Sequence, residues 1–261
     1  MTGEVEDWKG RAATNPLVGE LAHSVIEYLV DTPGRARLVR VEDAADALYE
    51  ASLNQAGFST GMLQAELAAH RINDPETVET CIALAARKLG DDWLTDARSF
   101  AEVAWASSRL FDYCKEIGRR WDNLQPPIAS QSILVTTLDC EMHLIGPTIL
   151  AQKIRRAGHS VSLMCNVAAD EIEEKLSFNA FDGLMISTGS NAGLEIATET
   201  ITQLRKNKAL ATPIVLGGAV LEFLSEGETE QMSADLATND MDKALEFMSD
   251  SKSLLRLGAA Q

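Results

Sequence analysis

A chain of 261 residues that is 46% hydrophobic and 24% charged can bury one large core or two ordinary ones, which excludes a disordered polymer. The formal net charge of −16 argues against direct tight binding to nucleic acid by the chain as a whole, since no stripe of Lys and Arg is available to replace counterions. Four dispersed cysteines (Cys81, Cys114, Cys140, Cys165), no basic-then-apolar leader and no apolar run near the roughly 20 residues of a bilayer span lead to the expectation of a cytoplasmic protein with reduced thiols and no membrane contact.

In the N-terminal half, Leu17, Leu21, Val25, Ile26, Leu29 and Val30 recur at steps of three and four, which predicts an amphipathic helix. Helices are also predicted over Val41–Ala51 and Phe58–His70. Asp74-Pro75-Glu76 reads as an N-cap followed by proline, opening a helix over Glu76–Leu89 that Gly90 stops. A last long helix is predicted from about Asp96 to Gly118. Four or five helices with short connections make a bundle. Pro126-Pro127, in the stretch that begins at Asp122, cannot continue a helix and marks a linker.

Beyond the linker the period changes. Short apolar runs at Ile133–Thr137, Val161–Met164, Gly183–Ser187 and Ile214–Gly218, with a weak fifth at Asp235–Ala237, predict strands. They alternate with predicted helices over Leu144–Arg156, Asp170–Ser177, Leu194–Lys206 and Met241–Met248. Alternation of this kind builds a parallel sheet with right-handed crossovers. The expected fold class is therefore α/β: an N-terminal four- or five-helix bundle (residues 1–121), a linker (122–131), and a C-terminal flavodoxin-like (Rossmann-like) domain with a parallel five-stranded sheet (132–261).

Such sheets bind ligands beyond the carboxyl ends of their strands. Three features fall there: Leu138-Asp139-Cys140-Glu141-Met142-His143-Leu144-Ile145-Gly146, then Ser187-Thr188-Gly189-Ser190, then Gly217-Gly218. Taken singly, the histidine is an ordinary solvated residue, the hydroxyl cluster a helix cap and the glycine pair a turn. Together they bring an imidazole, hydroxyls and bare backbone to one edge. No Gly-x-Ser-x-Gly elbow surrounds Ser187, and Gly189 and Gly193 do not fit a dinucleotide fingerprint.

Glu141-Met142-His143-Leu144-Ile145-Gly146 resembles the Asp-x-His-x-x-Gly motif of cobalamin-binding domains, with Glu in place of Asp. The Ser-x-Leu and Gly-Gly motifs of that family match Ser187, here followed by Thr-Gly, and Gly217-Gly218. Leu89-Gly90-Asp91-Asp92-Trp93-Leu94-Thr95-Asp96 and Phe100-Ala101-Glu102-Val103-Ala104 are similar to the helical caps of CarH-type cobalamin photoreceptors and of PpaA/AerR-type antirepressor regulators. The resemblance spans roughly Leu17 to Met248.

It implies cobalamin (adenosyl-, methyl- or hydroxocobalamin) as cofactor and His143 as the metal ligand from below. Glu141 would take the proton on the other ring nitrogen. A nucleotide tail would run past Ser187 and over Gly217-Gly218, with Gly146 and Gly189 in the same cofactor-binding set. Trp93 would pack over the upper axial group. Val103-Ala104 stands where the photoreceptors carry Glu-His, so Val103 would line the upper side without supplying a ligand. His23, His70 and Glu102 read as helix-surface residues rather than upper ligands.

The resemblance, with the acidic charge and the lack of a MerR-like helix-turn-helix, implies a light- or redox-responsive transcription regulator with no catalytic residues. It would act on a transcription repressor protein rather than on DNA, and a homo-oligomer is compatible with it. The alternatives are a corrinoid shuttle protein of a methyltransferase system and a haem-binding sensor on the same fold. Nothing in the sequence decides whether a bilin binds as well.

Overall fold

The structure, a computed structural model, describes residues 33–54, 57–121, 131–139, 141–207, 211–224 and 233–258. The helix expected at Leu17–Val30, Cys140 and positions 122–130 of the linker lie outside these residues.

The bundle opens with α1 (Pro33–Leu53), which buries Val41, Ala44, Ala45 and Leu48 along one stripe. In α2 (Thr60–Ala69) the Ser59 hydroxyl accepts from the Met62 amide at 3.4 Å, and Leu63 and Leu67 face the core. Helix α3 (74–94) is assembled from Asp74–Glu76, a π-helical turn at Thr77–Cys81 and Ile82–Leu94. Its cap is Asn73, whose Oδ1 accepts from the Glu76 amide at 2.9 Å, so Asp74 and Pro75 sit inside the first turn rather than before it.

The structure corrects the end of α3. Gly90 does not stop the helix, which continues to Leu94 and ends where Asp96 adopts a φ of 54°. A glycine weakens a helix interior without ending it, and Leu89 beside it is fully buried. The start of α4 (Phe100–Gly118) is corrected too. Ser99 and Glu102 form a reciprocal capping box: the Ser99 hydroxyl accepts from the Glu102 amide, and Glu102 accepts from the Ser99 amide at 3.0 Å. Residues 96–99 are therefore the turn into the helix.

The second domain runs β1 (Ser132–Leu138), α5 (Ile145–Arg156), β2 (Ser160–Val167), α6 (Ala169–Phe178), β3 (Gly183–Ser187), α7 (Asn191–Lys206), β4 (Ile214–Gly217), a 3-10 turn (Ala219–Phe223), β5 (Leu236–Ala237) and α8 (Met241–Gly258). All strand pairs are parallel, in the order β2-β1-β3-β4-β5. This is the doubly wound order whose topological switch lies between β1 and β3. Sheets of this kind are covered on both faces, which is why β1, β3 and β4 are continuous apolar runs. Leu134, Leu138, Leu184, Ile186 and Leu216 pack with Ile172, Leu176 and Ile201 of α6 and α7 on one face. Ile133, Val135, Met185 and Val215 pack with Ile154, Ala244 and Met248 of α5 and α8 on the other.

Helix α5 joins the two domains. Its Ile149 belongs to the bundle core, and Gly118 of α4 lies so close to Gln152 that no side chain would fit between them. Arg156 Nε bonds Glu79 Oε1 in the π turn at 2.8 Å. Arg87 of α3 approaches Glu222 of the 3-10 turn at 3.7 Å, so the bundle also reaches the loop that follows Gly217-Gly218. Among the described residues no helix is long and apolar enough to cross a membrane.

Candidate cofactor site

The parallel register brings the ends of β1, β3 and β4 to one edge, with Ser187 opposite Gly217. The loop after β1 turns back at once, the Glu141 amide bonding the Leu138 carbonyl at 3.1 Å. That turn buries the Glu141 side chain to 3% exposure and leaves the His143 side chain 61% exposed.

Glu141 is the centre of the site. Its Oε1 accepts from the His143 amide at 2.9 Å and from His143 Nδ1 at 2.6 Å. Its Oε2 accepts from the Gly189 amide at 2.8 Å and from the Thr188 hydroxyl at 3.2 Å. Four donors thus converge on one buried carboxylate and fasten the β1 loop to the β3 loop. Burial alone would raise the carboxyl pKa, but the His143 ring and the Gly189 and His143 amides outweigh it and hold the pKa at about 2. In return Glu141 raises the His143 pKa against a smaller opposing effect of burial. The hydrogen bond sets the tautomer: with Nδ1–H directed at the carboxylate, the neutral ring keeps its lone pair on Nε2.

Glycine makes this packing feasible. A Cβ on Gly189 would lie 2.5 Å from His143 Nδ1 and 2.6 Å from Cγ, so the imidazole rests on bare backbone. Gly218 has a φ of 115°, and a Cβ there would meet the Thr188 backbone, 2.7 Å from its nitrogen. Asn239 clamps the same glycine, accepting from its amide at 2.8 Å and donating to its carbonyl at 3.2 Å. A Cβ on Gly217 would stand 3.0 Å from the Thr238 carbonyl. Gly146, in the first turn of α5, faces open space.

The edge thus brings together Glu141, His143, Ser187, Gly189, Gly217 and Gly218. Trp93 and Val103 belong to the bundle. Trp93 is 50% exposed at the end of α3, beside the exposed Leu94 and Phe100, and Val103 leans on the bundle core. Tyr49 of α1 donates to Asp92, and Arg98 approaches the same carboxylate at 3.9 Å, so the turn carrying Trp93 is tied to α1. Glu102 is engaged by Ser99, whose amide and hydroxyl lower its pKa, and stays at its cap.

Sequence reasoning missed Thr188, Gly193 and Asn239. It singled out Ser187, the last residue of β3, whereas the hydroxyl that reaches Glu141 belongs to the next residue. The signal was present in the Ser-Thr-Gly-Ser run itself, because side chains alternate along a strand and only one of two neighbours can turn toward β1.

The donor set fits a metal-centred tetrapyrrole. One exposed imidazole, with its second nitrogen fixed by a buried carboxylate, suits a metal that already carries its equatorial ligands, and the glycine-lined edge beside it admits a large flat group. Among the described residues no cluster of three or more His, Cys, Asp or Glu could hold a free ion.

Fold and site together define a corrinoid-binding class of domain. Residues 131–244 match the family model described as the B12 binding domain, and this part of the chain belongs to that family. A relative, the uncharacterized 20.5 kDa protein in the bchF-crtJ intergenic region of Rhodobacter capsulatus, is 27% identical over 165 residues, covering 60% of this chain and 82% of that protein. Among solved structures, the monomethylamine corrinoid protein of Methanosarcina barkeri aligns with a TM-score of 0.59 at 14% identity, over 79% of this chain and 97% of that one. A cobalamin-binding protein from Desulfitobacterium hafniense DCB-2 aligns with a TM-score of 0.42 at 14% identity, over 81% and 98% of the two chains.

Proposed function

We propose that the chain is a cobalamin-responsive regulator that acts through a protein partner. The observation that carries the cofactor reading is the exposed imidazole of His143 held at Nδ1 by the buried Glu141. His143 would ligate the cobalt through Nε2, in place of the cofactor's own base. The nucleotide tail would pass Ser187 and the backbone of Gly217 and Gly218, with Gly146 leaving room at the start of α5. Bound cobalamin supplies a metal whose upper ligand changes with light or redox state.

The chain's own part is to register that change. The turn of Trp93, Leu94 and Phe100 presents apolar surface, and Tyr49–Asp92 ties that turn to α1. Movement of the turn would therefore reach the outer face of the bundle, where a transcription repressor would dock. Such a switch needs two arrangements of the turn, each favoured by a different upper ligand.

Reconstitution of His143→Ala with hydroxocobalamin tests the cofactor reading. The variant is expected to fold as wild type, because the side chain is largely exposed, and to show weakened uptake with an altered visible spectrum. Uptake and spectrum equal to wild type would remove His143 from the metal. The regulatory part is tested by pull-down of a transcription repressor before and after illumination of the holoprotein. A second reading, a corrinoid shuttle subunit, draws on the fold shared with the monomethylamine corrinoid protein. Methylation of the bound cofactor by a methyltransferase would favour it.

A further inference from the structure

Gly193 is the third residue of α7, where alanine ordinarily stabilises a helix relative to glycine. Its backbone is not among the glycines at positive φ, so conformational freedom does not explain it. The space around it does. A Cβ at Gly193 would collide with the Thr188 hydroxyl, and would stand 3.1 Å from Glu141 Oε2 and 3.2 Å from Ser190 Oγ. The missing methyl group is therefore the volume through which the Thr188 hydroxyl reaches Glu141.

Thr188 is 3% exposed and β-branched, so it has few ways to yield. Rotating its hydroxyl clear of a new methyl would carry the oxygen off Glu141 Oε2, which it now meets at 3.2 Å; the Ser190 carbonyl at 3.4 Å is the other acceptor within reach. The carboxylate would lose one of the two donors that hold Oε2 while Oε1 serves His143.

We propose that Gly193 is a positioning residue for His143, keeping open the space in which the Thr188 hydroxyl orients Glu141. The inference rests on the reading of His143 as a cobalt ligand and adds to it a residue outside the motifs that suggested that ligand. Gly193 touches no cofactor; it acts through Thr188 and then Glu141.

The test uses the full-length chain as Gly193→Ala, Thr188→Val, Thr188→Ala and the double variant Gly193→Ala/Thr188→Ala. Hydroxocobalamin uptake is followed in the visible spectrum. The histidine hyperfine splitting of the cobalt(II) form is read by electron paramagnetic resonance with 15N-histidine protein. The Nδ1 proton of His143 is observed by NMR without cofactor. Gly193→Ala and Thr188→Val are each expected to weaken uptake by roughly tenfold, as loss of an outer-shell partner does, and to shift the Nδ1 proton. Their thermal melts should stay close to wild type. The double variant should bind no worse than Thr188→Ala, since without the threonine side chain the new methyl meets open volume.

Losses that multiply in the double variant would overturn the proposal. Wild-type binding by Thr188→Val would do so as well, even if Gly193→Ala failed to fold. If wild-type protein shows no histidine hyperfine splitting, the cobalt reading itself falls. The Nδ1 proton then decides alone: displaced in both single variants it supports the positioning role, and unmoved in either it ends it.

Discussion

The two regions implicated in cofactor binding are built on opposite principles. At the sheet edge, four donors converge on Glu141 and glycines let the parts close to van der Waals contact. At the bundle's turn, Trp93, Leu94 and Phe100 offer apolar surface without directional bonds of their own. Hydrogen-bonded networks fix geometry, and apolar surface tolerates displacement at small cost. The edge is therefore suited to holding a ligand atom in one place, and the turn to resting against a group that changes.

Breaking the edge should cost the most. Gly218→Ala forces an L-residue to a φ of 115° and drives its Cβ into the Thr188 backbone, so a loss of about 3 kcal/mol or more is expected in a denaturant titration. Glu141→Ala leaves the Thr188 hydroxyl and the Gly189 amide without their acceptor. About 2 kcal/mol of stability should go, together with a drop in cobalamin uptake on the order of tenfold to a hundredfold in a visible titration.

The same residue predicts a pH dependence. Its folded pKa of about 2 lies below the roughly 4.3 of an unfolded glutamate, so the stabilisation is fully present above about pH 4.3 and is lost as pH falls toward 2. Melts across that window should show a slope in wild type that Glu141→Ala lacks.

The turn should respond more mildly. Tyr49→Phe removes the bond to Asp92 and should cost about 1 kcal/mol in a thermal melt. Trp93→Ala, at a half-exposed site, should stay within about 0.5 kcal/mol of wild type while changing the holoprotein's response to light. A stability loss for Trp93→Ala as large as that of Glu141→Ala would erase the contrast between the two regions.

The sheet was the part most legible in the sequence, because strands buried on both faces must be continuous apolar runs and turn residues bound them. Gly183–Ser187 came out residue for residue. Helix ends were less legible. Gly90 reads as a stop, yet packing of Leu89 carries α3 onward to Leu94. Ser99-Phe100-Ala101-Glu102 carried its capping signature openly, but the periodic pattern upstream drew the start to Asp96. At the site, Glu141 and His143 were legible because they are two residues apart and their bond is local. Thr188, Gly193 and Asn239 were not, since their partners lie 47, 52 and 21 positions away and only the folded sheet reveals the contact.

The π turn at Thr77–Cys81 has a consequence for any attempt to shorten the bundle. A π turn holds one residue more than an α turn, and each residue of an α-helix advances the azimuth by about 100° and the rise by about 1.5 Å. Deleting a single residue between Thr77 and Cys81 would restore a regular helix and rotate everything beyond it, with Arg87 and Trp93, by more than a quarter of a circle. A chain one residue shorter there would therefore carry its aromatic turn on a different meridian of the bundle. The extra residue acts as a phase setting for everything downstream of it.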